Sequence, residues 1–145
     1  MIVQVLLGAV MIVVTTVIQS LFTIAGVEML RWRLSPELAK SLVKSTLTLA
    51  LFVLWLFLAT ILEVWTWAML YLALGAVSSL EQAAYFSTVT FTTLGFGDIT
   101  LDETWRLLSS FEAANGLLMF GWSTALVFAT VRWVYGPGRK FSDRS

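Results

Sequence analysis

With 145 residues the chain has the length of one domain. Its composition excludes a soluble one: 59% of residues are hydrophobic and 12% charged, mean hydropathy is +0.87, and soluble domains carry roughly 25% charged residues. The lack of His and Cys excludes imidazole bases, thiol nucleophiles, disulfides and His/Cys metal centres. Nine Lys+Arg against nine Asp+Glu provide no net positive charge to attract a nucleic acid. The chain reads as an all-α integral membrane protein.

In chain order, residues 2–27 carry no ionisable side chain, and only Gln4, Thr15, Thr16, Gln19, Ser20 and Thr23 interrupt the apolar run. As a helix they reach about 39 Å, more than the ~30 Å hydrocarbon core. A signal peptide would show a basic stretch before a short apolar core, and neither is present. A retained transmembrane helix is expected, with residues 1–34 as a first unit. It has no Arg or Lys at three-residue spacing, so it is no voltage sensor; a peripheral helix bracing the next one is expected.

Ser35-Pro36-Glu37 combines an N-cap with a first-turn proline and predicts an outer helix over 36–65. Residues 66–78 form an outer segment. One unbroken helix over 36–76 would be about 60 Å long, beyond the bilayer, so a bend, an interfacial helix or a stalk is expected, and Trp65, Trp67 and Tyr71 suit an interfacial belt. Ser78 and Glu81 have capping-box spacing and predict a short helix over 79–92. Thr100 and Glu103 repeat that spacing before a last helix over 102–135, followed by a tail, 136–145. The uncharged run between Glu81 and Asp98 is too short to cross, is rich in Thr and ends in glycines. It suits a re-entrant segment, since irregular backbone at membrane depth must be buried in protein or line water.

Charge sets the orientation. Arg31, Arg33, Lys40 and Lys44 lie between the first two spans, and Arg132, Arg139, Lys140 and Arg144 follow the last. No Lys or Arg lies between Lys44 and Arg106, where Glu63, Glu81, Asp98, Asp102 and Glu103 occur. The positive-inside rule places the C-terminus in the cytoplasm and the N-terminus and re-entrant region outside. The chain suits a bacterial plasma membrane.

Thr92-Thr93-Leu94-Gly95-Phe96-Gly97-Asp98 follows the short helix. Gly95 and Gly97 accept φ > 0, and alternating dihedrals let successive carbonyls point one way while Leu94 and Phe96 point outward and pack the strand rigidly. Four such strands around an axis form rings of oxygens that replace a cation's hydration shell, with the negative end of each short helix below them.

This string resembles the filter of the potassium-channel pore family, Thr-Val-Gly-Tyr-Gly-Asp, with Leu94 for Val and Phe96 for Tyr. The resemblance covers roughly residues 40–135. Tyr85 and Phe86 match the family's two aromatics ahead of the filter, and Gly116 with Phe120-Gly121 matches the inner-helix glycines. It implies a homotetramer in which Thr93, Leu94, Gly95, Phe96 and Gly97 bind K+ as permeant ion, supported by Tyr85, Phe86, Thr92 and Asp98. No organic cofactor is implied.

Two departures stand out. Phe96 lacks the tyrosine hydroxyl, and Val89 occupies the position where some family pores carry a bracing carboxylate. Glu112, about 9 Å inside the last span from Arg106, either hydrogen-bonds to hydroxyls or amides of the short helix and supplies the brace, or reaches toward the outer interface. Gly116 is either a hinge or a close-packing position. The family's inner-helix facing points Leu117, Phe120, Thr124, Phe128 and Arg132 at the pore axis. There Phe128 either gates by dewetting or faces lipid.

These features lead to a passive, potassium-selective channel of three spans and one pore loop per subunit, surrounded by lipid, with no catalytic step. The alternatives are a weakly selective monovalent cation channel and a scaffold or helper subunit of a cation transporter.

Overall fold

The computed structural model describes residues 1–33 and 41–135. They form four helices: α1 (Ile2–Arg33), α2 (Leu42–Ala73), α3 (Leu80–Phe91) and α4 (Arg106–Tyr135). No strand occurs among the described residues. α1, α2 and α4 are long and apolar enough to cross a membrane, whereas α3, with 12 residues, reaches only about 18 Å. The protein is a multi-pass membrane protein with a short helix held between two spans. The Ser35-Pro36-Glu37 start signal and the tail 136–145 lie outside the described residues.

The outer segment expected over 66–78 is not a separate element. α2 runs unbroken through it to Ala73, so the outer helix does not end at 65. Its 32 residues extend about 48 Å. The helix stops where Gly75 takes φ +65°, with Gly75 N–H donating to Leu72 O and Ala76 N–H to Tyr71 O. This left-handed exit turn is one glycine adopts without steric cost. The extension has a packing reason. Glu63, Trp67 and Tyr71 recur every fourth residue on one face, and all three are fully buried. Trp67 and Tyr71 therefore belong to the core rather than to an interfacial belt; Trp65, on the other face, is exposed.

Two caps also differ from expectation. Ser79, not Ser78, is the N-cap of α3, its Oγ accepting from Gln82 N–H at 3.2 Å, while Gln82 Oε1 accepts from Ser78 Oγ at 2.7 Å. Before α4 the acceptor is Asp102 rather than Thr100: its Oδ1 takes Thr104 N–H and Trp105 N–H. A carboxylate is the stronger acceptor for unpaired first-turn donors.

α1 does more than brace α2. It runs antiparallel to α2, where Trp55 Nε1 donates to Phe22 O at 2.9 Å beside Gly26, and parallel to α4. Gln4 Nε2 donates to Thr104 O, Asn115 Nδ2 to Thr15 Oγ1 at 2.8 Å, and Gln19 Nε2 to Ser123 Oγ at 2.8 Å. Gly8 lets Phe111 pack against the α1 backbone. The core gathers where all four helices meet, around Met11, Val64, Trp67, Tyr71, Phe86, Phe91, Leu108 and Met119. A second cluster, of Leu30, Phe52, Leu56 and Val134, ties the other end.

Candidate functional site: the segment after α3

α3 ends at Thr92, whose hydroxyl caps back to Thr88 O at 2.6 Å. The chain then folds onto the helix end: Thr93 N–H donates to Thr90 O, and Leu94 and Gly95 N–H both donate to Val89 O. Beyond this the backbone alternates. Thr93, Gly95 and Gly97 have φ of 61°, 56° and 77°, and Leu94 and Phe96 do not share that region. The glycines behave as their type allows. Thr93 was not anticipated, because a β-branched residue at positive φ is strained.

Among the described residues, no hydrogen bond ends on the carbonyl oxygens of residues 93–97. All five residues are exposed, so these carbonyls are open to whatever surrounds the segment. Leu94 and Phe96, expected to point outward, are 60% and 65% exposed.

At the outer end, Tyr85 donates its hydroxyl to Asp98 Oδ2 at 2.7 Å. That bond holds the Asp98 carboxyl below the usual carboxylate range and pushes the Tyr85 phenol up. Phe86 is buried and meets Tyr71 edge-on, with ring centroids 5.1 Å apart. A cavity of about 620 Å³ separates α3 and the 93–101 segment from the start of α4, with Thr93, Gly95 and Gly97 on its wall.

Glu112, on α4, is fully buried between α2 and α3. Its carboxyl turns inward, not toward the outer interface. Tyr71 OH donates to Glu112 Oε2 at 2.7 Å. Ser87 Oγ lies 2.5 Å from Glu112 Oε1 and 2.7 Å from the Val64 carbonyl oxygen. Sequence reasoning reached Ser87 only as one of the hydroxyls of the short helix and missed Tyr71. The available signal was the need of a deep acid for donors, with Tyr71 on the face of α2 that Glu63 and Trp67 define. Glu63 is buried too, and neither its oxygens nor Trp67 Nε1 have a hydrogen-bond partner among the described residues.

Gly116 is a close-packing position: an added Cβ would lie 1.9 Å from Phe91 O, at the end of α3. Gly121 faces open space. Phe120 meets Phe91 with ring centroids 6.0 Å apart. Leu117, Phe120, Thr124, Phe128 and Arg132 are all exposed, and the Arg132 guanidinium sits 5.8 Å over the Phe128 ring.

A family model described as "Ion channel" matches residues 47–132, which include α3, the 93–98 segment and most of α2 and α4. No curated protein and no solved structure matches the chain.

Proposed function

Given that the chain belongs to the ion channel family of potassium-channel pore domains, we propose that four copies form a passive, potassium-selective channel. The observation that carries this reading is the backbone of residues 93–97, with φ alternating in sign of region and five carbonyls unspent. Around a four-fold axis, Thr93, Leu94, Gly95, Phe96 and Gly97 supply stacked oxygen rings that replace the hydration shell of K+. The C-terminal end of α3 adds its partial negative charge below them. Neighbouring subunits cover the bare Leu94 and Phe96, and the exposed row Leu117–Phe120–Thr124–Phe128–Arg132 lines the inner cavity, with Phe128 as its constriction. Tyr85, Phe86, Thr92, Asp98 and Glu112 hold the strand. The protein lies in a plasma membrane with its N-terminus outside and its C-terminus in the cytoplasm, as the basic residues require.

Potassium flux from liposomes containing the purified protein tests the reading. Flux blocked by barium and lost in Thr93→Ala is expected; flux indifferent to both overturns it. A weakly selective cation channel remains the second reading, because Phe96 has no hydroxyl with which to tie the strand to a neighbour. Reversal potentials in mixed potassium and sodium separate the two. A monomeric or dimeric mass in detergent would favour the transporter helper subunit instead.

A further inference from the structure

Glu112 joins three helices. It sits on α4, takes a hydrogen from Tyr71 of α2, and touches Ser87 of α3, which also touches the Val64 carbonyl of α2. The protons in this group can be counted. Tyr71 uses its single O–H on Glu112 Oε2. Ser87 has one O–H but two oxygen partners within hydrogen-bond distance. The Val64 carbonyl is an acceptor only, so the Ser87 hydrogen goes there. One Ser87 hydrogen could serve both contacts only as a shared, three-centre bond, whereas a carboxyl hydrogen gives the contact between Ser87 Oγ and Glu112 Oε1 a donor of its own. With an anionic Glu112, Ser87 would have to divide its one hydrogen between the carboxylate and the Val64 carbonyl.

The surroundings agree. Facing Glu112, α1 contributes no titratable group: its residues from Ile2 to Val27 are all uncharged. α2 contributes Tyr71 and, two turns away on the same buried face, Glu63. The buried face of α3 (Ala83, Phe86, Ser87, Val89, Phe91) has none, and its Glu81 and Tyr85 are exposed. Asp98 is engaged with Tyr85. On α4, Arg106 is exposed and pairs with Glu103 at 3.6 Å. Among the described residues no cation reaches the carboxyl, and a buried carboxylate without a counter-charge is strongly unfavourable.

We infer that Glu112 is a neutral carboxylic acid whose proton positions the pore helix, in a one-way chain from Tyr71 O–H to Glu112, from Glu112 O–H to Ser87, and from Ser87 O–H to the Val64 carbonyl. It is a positioning residue: through Ser87 and Tyr71 it ties α3, the helix that leads into the 93–98 segment, to α4 and α2. Loss of the proton forces Ser87 to divide its one hydrogen between Val64 and Glu112, so alkaline pH loosens the helix that carries the filter. Gln is the faithful mimic of the neutral acid, its amide donating to Ser87 and its carbonyl accepting from Tyr71. Only the conduction consequence rests on the channel reading.

Infrared difference spectroscopy of the full chain at neutral pH, wild type minus Glu112→Gln, tests the proton directly. A protonated-carboxyl C=O band that shifts in D2O is expected, with Glu63 cancelling in the subtraction. Thermal midpoints should fall in the wild type as pH rises from neutral toward about 10 and stay level relative to it in Glu112→Gln, since the native state alone holds the extra proton. Ser87→Ala provides a second variant: the band should persist but move to higher frequency as it loses its acceptor. Absence of the band, no spectral change in Ser87→Ala, or parallel pH curves for wild type and Glu112→Gln overturns the inference. A band with the expected behaviour in a protein that passes no potassium supports it and removes the channel reading instead.

Discussion

Gly116 and Gly121 have the same spacing role in the sequence, yet they meet different surroundings. A methyl group at 116 has no room, because the Phe91 carbonyl is backbone and cannot swing aside. Overpacking of this kind costs about 1–3 kcal/mol, and here the strain falls on the end of α3 from which the free carbonyls emerge. Gly116→Ala should lower the thermal midpoint and reduce flux, whereas Gly121→Ala, with nothing within 4 Å, should leave the midpoint near wild type. Equal effects in the two variants would mean that the contact with Phe91 is not what fixes the position. At the outer end, the Tyr85–Asp98 bond contributes above the usual carboxylate range and is lost as pH falls through Asp98's lowered value. Removing the hydroxyl in Tyr85→Phe should move the acid limb of the melting curve to higher pH. An unmoved limb would show that Asp98 draws its stabilisation elsewhere.

At the scale of elements, α1 is joined to α4 by side-chain hydrogen bonds on both sides of the inner-helix glycines: Thr15–Asn115 one residue before Gly116, and Gln19–Ser123 two residues after Gly121. Such interhelical bonds average about 0.6 kcal/mol in membrane proteins, but an orphaned buried amide costs more than the bond it loses. Asn115 Oδ1 already lacks a partner among the described residues, so Thr15→Val leaves that side chain with neither end satisfied. Thr15→Val alone should therefore destabilise more than Thr15→Val combined with Asn115→Leu, as read by thermal unfolding in detergent. A double variant worse than the single one would show that the pair contributes packing rather than polar satisfaction. The signal for this interface was present in the spacing of Gln4, Gly8, Met11, Thr15, Gln19, Gly26 and Leu30, all buried, at the intervals of three, four and seven that make one helix face.

At the scale of the molecule, the parallel run of α1 beside α4 and the antiparallel run of α2 against both put the N-terminus, the α2–α3 turn and the start of α4 at one end. Arg31, Lys44 and Arg132 lie at the other. This arrangement is what three successive crossings produce, and it gives the charge asymmetry a single spatial meaning. A cysteine introduced at the exposed end of α2, Ala73→Cys, should be labelled by a membrane-impermeant maleimide added to intact cells. Labelling only after the membrane is broken would reverse the orientation. Leu94, Phe96, Leu117 and Phe128 are each at least 60% exposed, and on the proposed reading neighbouring copies cover them.

The sequence alone determined the membrane class, the three long apolar helices, the short fourth one and the residues of the carbonyl-bearing segment. Each of these is a local property: an uncharged run is long enough or it is not, and Gly95 and Gly97 permit positive φ wherever they stand. Even the extent of α3 followed from its flanking serines, to within one residue of the true cap. What depended on neighbours distant in sequence was not legible in this way. The continuation of α2 to Ala73 was settled by the burial of Glu63, Trp67 and Tyr71 against α3 and α4, which overrode their suitability for an interface. The inward turn of Glu112 needed Tyr71 and Ser87, 41 and 25 residues away, to arrive at one point. Gly116 became a packing position because the end of α3 comes to rest on it. The positive φ of Thr93 arises because the chain must leave that helix end while its next amides are still held by Val89.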